Sequence, residues 1–205
     1  MPRSLRSVLE QSMLFHEAVH PLWDVEPLSS RRSLAATGFC LIMRQHATSQ
    51  MILATQELDV TAATLVRPTF EALLRAVWCK DGADDEWLER FLSPTPEALT
   101  SDAETRMGLS VDRMMLETQG RHPAWLLETL NELKARCWRA MHSYVHGGIR
   151  PFVQALSPMP EHELAGVVIN ANGMLLLATQ IVRLSAGVAS PMLPTLQKEH
   201  RGCLP

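Results

Sequence analysis

Apolar residues recur every three or four positions along most of the chain, with polar residues between them. This spacing is typical of amphipathic α-helices, whereas the period-two alternation of half-buried strands is rare here. The pattern therefore predicts an all-α protein, built as a single bundle of about five long helices. We expect these helices at about residues 4–20, 30–56, 61–80, 123–147 and 161–186.

Proline residues divide the chain between and after these helices. The segment 83–120 contains Pro94 and Pro96 and is predicted to be an irregular insertion of short helices. Three prolines in residues 190–205 predict a flexible tail. Because 205 residues is the length of one ordinary domain, we expect a single helical domain over 1–189.

Composition narrows the class of protein. Hydrophobic residues make up 46% of the chain and charged residues 20%, and the net charge of -3 argues against nucleic-acid binding by overall charge, leaving only a local basic patch. The four cysteines are scattered without a C-x-x-C pair, which indicates reduced core residues. Polar residues interrupt the apolar run that a secretory signal would need near the N-terminus. We therefore expect a cytoplasmic protein.

One uncharged segment is nearly long enough to span a membrane. Residues 164–182 contain no charged side chain. However, four polar side chains in it would each need a partner in lipid: Asn170, Asn172, Thr179 and Gln180. We therefore predict a buried core helix and no membrane contact.

The helix predicted over 123–147 carries the main candidate chemistry. Its apolar stripe consists of Leu126, Leu130, Leu133, Cys137, Met141 and Tyr144. Arg139, His142 and His146 fall together on the opposite face. Arginine binds phosphate, and histidine transfers protons near neutral pH. The alternative is a solvated polar face, stabilised by ion pairs between residues four apart.

A second polar group lies on the predicted helix 61–80. Arg67, Glu71 and Arg75 are spaced by four residues and so form one edge of that helix. Pro68 lacks a backbone donor and should kink the helix. The three charges are either a structural ion-pair network or part of a basic pocket that Arg67 or Arg75 completes with Arg139 and His146.

Residues 16–20 match the H-E-x-x-H signature of zinc proteases. Pro21 ends that helix at once and no third ligand follows at a recognised spacing, so we predict no protease activity. Two histidine pairs, His16/His20 and His142/His146, could hold a transition metal only if their helices packed face to face. The second pair lies away from its own apolar stripe, and we predict no metal and no other cofactor.

Two motifs resemble an uncharacterised family of bacterial helical proteins. They are Leu65-Val-Arg67-Pro68-x-x-Glu71-Ala72 with a downstream Trp78, and His142-Ser143-Tyr144-Val145-His146-Gly147-Gly148. The resemblance covers about residues 30–185. In that family the position of His142 is more often asparagine, which makes His146 the better candidate for a shared role.

The chain also resembles HEPN domains, helical bundles that often dimerise and in many members cleave RNA in toxin or phage-defence systems. Their signature is an arginine followed, after four to six residues, by a histidine. Arg139 and His146 fit it, as do Arg136 and His142, although Ala140 stands where HEPN nucleases usually have a polar residue. The resemblance implies a metal-independent endoribonuclease in which His146 moves a proton from the ribose 2′-hydroxyl and Arg139 stabilises the phosphorane.

From these observations we expect a HEPN-like homodimer that cleaves or binds RNA in a bacterial toxin or defence system, with a cognate antitoxin or defence partner. The expected catalytic residues are Arg139, His146 and His142. Arg67, Glu71, Arg75 and Tyr144 are expected to bind substrate or to form a structural polar network. The alternative is a non-catalytic helical dimer that binds a small anion or a protein partner.

Overall fold

The structure is a computed structural model that describes residues 3–97, 109–122 and 124–205, without the side chains of 136–139. These ranges contain helices and loops and no strand, so the all-helical prediction is confirmed for them. The ten α-helices described are α1 (Leu5–Val19), α2 (Arg31–Thr55), α3 (Asp59–Thr64), α4 (Val66–Asp81), α5 (Asp85–Leu92), α6 (Val111–Glu117), α7 (Ala124–Val145), α8 (Ile149–Leu156), α9 (Glu161–Ser185) and α10 (Leu193–Glu199). A short 3₁₀ helix, His20–Trp23, follows α1.

Several helices begin at a residue whose side chain caps the free backbone N–H groups. Ser30 caps α2 by accepting a hydrogen bond from the backbone N–H of Ser33 at 3.1 Å. Asp84 caps α5 in the same way through Trp87. Serine and aspartate are favoured at this position because their oxygens satisfy donors that have no partner within the helix.

The core forms where α2 packs against α4 on one side and α9 on the other. Alanines at 35, 36 and 47 of α2 are at most 3% exposed, and their small side chains allow close approach of the neighbouring helices. Larger side chains from the surrounding helices complete the core, among them Phe15, Phe70, Leu73, Trp78 and Leu175.

Helix α9 is long and apolar enough to cross a membrane by length and composition, but more than half of its most apolar stretch is buried inside the protein. Two of its polar side chains, Asn172 and Thr179, have hydrogen-bond partners within the fold. The Asn172 amide donates to Ser12 Oγ and to the carbonyl of Cys203, and Thr179 Oγ1 accepts from Trp23 at 3.0 Å. These pairings explain how a core helix can carry buried polar residues.

The predicted helix 61–80 is divided in the structure. Helix α3 ends at Thr64 and α4 begins at Val66, with Leu65 between them. Pro68 lies in the first turn of α4, where the missing N–H is tolerated. The proline therefore accompanies a one-residue break between two helices, where the sequence predicted a kink within one continuous helix.

The tail predicted over 190–205 is ordered and packed. It contains α10, with Pro194 in the first turn. Beyond it Cys203 is fully buried and Leu204 is 2% exposed, and Arg3 donates to the Leu204 carbonyl at 2.8 Å. Burial of two apolar side chains and a cross-terminal hydrogen bond explain why this segment packs despite its prolines. Within the predicted insertion 83–120, the described residues include α5 and α6, and residues 98–108 lie outside them.

Candidate functional site

The C-terminal end of α7 places two histidines on one exposed edge. The backbone N–H of His146 donates to the His142 carbonyl at 3.2 Å, and that of Gly148 donates to the Ser143 carbonyl at 2.7 Å. Gly147 ends the helix with a φ of 64°, a left-handed conformation that glycine adopts without strain. The rings of His142 and His146 therefore lie one turn apart, with centroids separated by 4.3 Å.

Arg67, in the first turn of α4, contacts both histidines. Its Nη1 atom lies 3.1 Å from Nδ1 of His142 and 3.3 Å from Nε2 of His146. The division between α3 and α4 places Arg67 at the start of a helix, opposite the end of α7. A single guanidinium nitrogen thus connects two helices that are far apart in the sequence.

Glu71 fixes the orientation of this guanidinium. Its carboxylate accepts from Arg67 Nε at 2.7 Å and pairs with Arg75 Nη1 at 3.5 Å. The three side chains are each between 20% and 29% exposed. Two arginines and one carboxylate leave a net positive charge beside the histidines, which is the sign that favours an anion.

The hydrogen bonds also define the protonation state in which the cluster forms. Guanidinium groups only donate, so Nδ1 of His142 and Nε2 of His146 must both accept. Each ring is then neutral and carries its proton on the other nitrogen, Nε2 of His142 and Nδ1 of His146. Both side chains are exposed, and those N–H groups have no partner among the residues that the structure describes.

The structure thus brings together five of the residues singled out from the sequence: Arg67, Glu71, Arg75, His142 and His146. The side chain of Arg139 lies outside the described residues. Tyr144 belongs to a different contact, because its hydroxyl donates to Gln154 of α8. Burial raises the pKa of Tyr144 above its ordinary value.

The described side chains of the apolar stripe predicted for this helix face the core, and the side chain of Cys137 lies outside the described residues. Leu126, Leu130 and Met141 are at most 7% exposed, whereas Glu128 and Glu132 on the other face are exposed. The position of His142 and His146 away from the core is therefore confirmed. It follows from the helical period alone.

The histidine pair at the end of α1 has other partners. Nε2 of His16 lies 3.0 Å from Asn172 Oδ1, and Nδ1 lies 3.4 Å from Thr48 Oγ1. These contacts involve α9 and α2, while His142 and His146 contact α4. Within the described ranges no three His, Cys, Asp or Glu side chains are grouped to hold a metal ion.

Sequence reasoning missed helix α8, which begins three residues after His146. Its apolar side chains are exposed: Ile149 at 70%, Phe152 at 63%, Val153 at 50% and Leu156 at 75%. This spacing is the helical signal that could have identified it. No residue of α8, all of which are described, is buried.

Residues 40–205 match the sequence model of a family described as a family of unknown function (DUF6988). The match covers the whole polar cluster and all the helices from α3 onward. Searches of curated proteins and of solved structures returned no match.

Proposed function

Since the chain belongs to DUF6988, a family of unknown function, we propose its activity from its own site: it binds RNA at Arg67, His142 and His146 and cleaves the phosphodiester without a metal ion. The observation that carries this proposal is the Arg67 guanidinium, which lies within hydrogen-bonding distance of both imidazoles. An arginine and two histidines supply the three functions that the reaction needs: charge stabilisation, a base and an acid.

Binding of a phosphate would activate the histidines. A phosphodiester oxygen accepts from the Arg67 guanidinium more strongly than a neutral imidazole does, because that hydrogen bond joins two charges. The guanidinium then turns towards the phosphate and frees the lone pair on Nε2 of His146. The exposed N–H of His142 remains available as a second donor to the same phosphate.

The reaction is an internal transesterification. His146 Nε2 removes the proton of the ribose 2′-hydroxyl, and the 2′-oxygen attacks phosphorus. The bond from phosphorus to the 5′-oxygen breaks. His142, which takes up a proton from solvent at Nδ1 once Arg67 has turned to the phosphate, delivers a proton to that oxygen and returns to its neutral form. The products are a 2′,3′-cyclic phosphate and a 5′-hydroxyl, and Arg67 stabilises the charge of the phosphorane. Arg139 is proposed to assist Arg67, as the Arg-to-His spacing of HEPN nucleases implies.

The proposal includes a HEPN-like homodimer. Helix α8 carries four exposed apolar side chains directly after His146. Exposed apolar surface of this kind is typical of protein interfaces. A two-fold contact through α8 would cover it and bring the two histidine pairs near one another. The proposed setting is a cytoplasmic toxin or defence system with a cognate antitoxin or defence partner.

A second candidate function is anion binding without catalysis. It is favoured by the network around Arg67, in which Glu71 and both imidazoles already have partners. Such a network stabilises an ion-binding surface without needing an acid or a base. Incubation with labelled single-stranded RNA in excess EDTA distinguishes the two: cleavage that requires His146 supports the nuclease, and intact RNA from every sequence tested contradicts it.

A further inference from the structure

A separate pocket of about 490 Å³ lies between α1, α2 and α9. Its walls are formed by Val19 and Trp23 from the N-terminal helices, Arg44 and Thr48 from α2, and Leu175 from α9. None of these residues belongs to the polar cluster on α4 and α7. The volume is within the range of small-molecule sites, which are about 300–1,000 Å³.

Arg44 is a half-buried cation in this pocket, and none of the described residues serves as its anionic partner. Its guanidinium carbon lies 5.0 Å from the centre of the Trp23 ring. Arg44 has no hydrogen bond or ion pair to any residue in the described part of the chain. A partly desolvated charge of this kind is stabilised when an anion binds it.

The orientation of His16 directs its remaining lone pair towards Thr48. The Asn172 amide nitrogen donates to Ser12 and Cys203, so its oxygen must accept from His16 Nε2–H. Nδ1 then accepts from the Thr48 hydroxyl. Burial lowers the pKa of His16, the hydrogen bond to Asn172 opposes that shift, and the charge of Arg44 lowers the pKa further.

The same contacts occupy both ring nitrogens of His16, the first residue of the H-E-x-x-H motif. Nε2 of His16 carries the proton that Asn172 accepts, so this nitrogen has no lone pair for a metal. Glu17 and His20 line the mouth of the pocket and are exposed. The glutamate makes no ion pair with Arg44 within the described residues.

We propose that this pocket binds a small organic monoanion, whose carboxylate contacts Arg44 and whose apolar body packs against the apolar wall that includes Trp23. The apolar walls favour a hydrocarbon or aromatic body over inorganic phosphate. Arg44 is the one arginine or lysine among the described lining residues, and the Glu17 carboxylate lies at the mouth, so the pocket favours one negative charge over two. This assignment is independent of the function proposed for the cluster on α4 and α7.

Isothermal titration calorimetry with octanoate as the probe tests the proposal, with 1-octanol as the uncharged control and inorganic phosphate as the control without an apolar body. We expect octanoate to bind the wild-type chain more tightly than either control. Arg44→Met should weaken octanoate binding about tenfold or more, because it removes a charge-assisted hydrogen bond. Glu17→Gln should leave octanoate binding intact or strengthen it.

Arg67→Gln is the matched control in the other site, and it should leave octanoate binding unchanged. Binding of the anion should also raise the pH at which the His16 imidazole titrates in NMR spectra, since it neutralises Arg44. The proposal is overturned if octanol binds wild type as tightly as octanoate does, if phosphate does, or if octanoate does not bind at millimolar concentration. The comparison among probes needs no variant, so it holds even if Arg44→Met fails to fold.

Discussion

Arg67 Nη1 lies 3.3 Å from Nε2 of His146, although the two residues are separated by 79 positions in the sequence. The contact joins the first turn of α4 to the residue that directly follows α7. It turns two separate polar motifs into one positively charged site. The consequences of this contact for RNA binding, stability and assembly can each be measured.

Arg67→Gln should weaken binding of single-stranded RNA by about tenfold, because it removes the guanidinium that meets the phosphate. The measurement is fluorescence anisotropy of a labelled oligoribonucleotide at several salt concentrations, and the salt dependence should become shallower in the variant. Arg90→Gln is the matched control, since Arg90 is an exposed arginine of α5 whose one ion pair within the described residues is to Glu86 at 3.8 Å. Equal affinities for both variants would contradict the role of Arg67.

Gly147→Ala should lower the free energy of unfolding by about 1 kcal/mol, because alanine at a positive φ is strained. The variant should also lose RNA binding, since the end of α7 positions both histidines. Urea unfolding gives the free energy. Gly38→Ala in α2 is the control with the opposite sign: a Cβ there meets no atom within 4 Å, and alanine favours the helix by about 0.5–1 kcal/mol.

The sequence predicts those features of this site that depend on residues close together in the chain, and it does not predict those that depend on packing between distant helices. The face of α7 that carries His142 and His146, and its end at Gly147, follow from helical period and glycine chemistry, which are local. The pairing with Arg67 depends on how α4 packs against α7, and no local pattern specifies that packing. A basic pocket containing Arg67 and His146 was therefore only one of two open alternatives.

The same distinction explains the errors in the fold. Pro68 signals an interrupted helix, but whether the chain kinks or starts a new helix is decided by the packing around Leu65. The burial of Cys203 and Leu204 depends on contacts with Arg3 near the N-terminus and with α9, so the sequence of this short proline-containing segment predicted a flexible tail. Helix α8 is short and none of its residues is buried. The prediction of the bundle relied on long helices with a buried apolar face, so it missed α8.

The free energy of unfolding should fall as the pH drops below the ordinary histidine pKa of 6.5. Burial lowers the pKa of His16 in the folded chain, so below pH 6.5 the unfolded chain takes up a proton that the folded chain resists. The contribution of neutral His16 to the free energy of unfolding is fully present above pH 6.5. It is lost as the pH falls towards the lower pKa that His16 has in the folded chain. Urea unfolding from pH 7.5 to 5 measures it.

His16→Gln should reduce this pH dependence, because the titrating group is gone. His162→Gln is the control, since His162 is exposed at the start of α9 and has no hydrogen bond in the described residues. A slope that is unchanged in His16→Gln would show that another group carries the effect. Burial also lowers the pKa of His46, so His46 should still contribute to the pH dependence of stability in both variants.

Phe152→Glu should convert the proposed homodimer into a monomer without unfolding it. The Phe152 side chain is 63% exposed within one chain, so a charge there costs little in the monomer but much in an apolar interface. Sedimentation velocity gives the mass, and circular dichroism checks the fold. A wild-type chain that is monomeric at high micromolar concentration would contradict the dimer.

The most direct test of the central claim is cleavage of end-labelled single-stranded RNA in excess EDTA by wild type, His146→Ala and the control His162→Ala. We predict that wild type and His162→Ala produce fragments with 2′,3′-cyclic phosphate and 5′-hydroxyl ends. His146→Ala should cleave at least about a hundredfold more slowly, because it lacks the base. Intact RNA with the wild type, or equal rates for wild type and His146→Ala, would contradict the proposed nuclease.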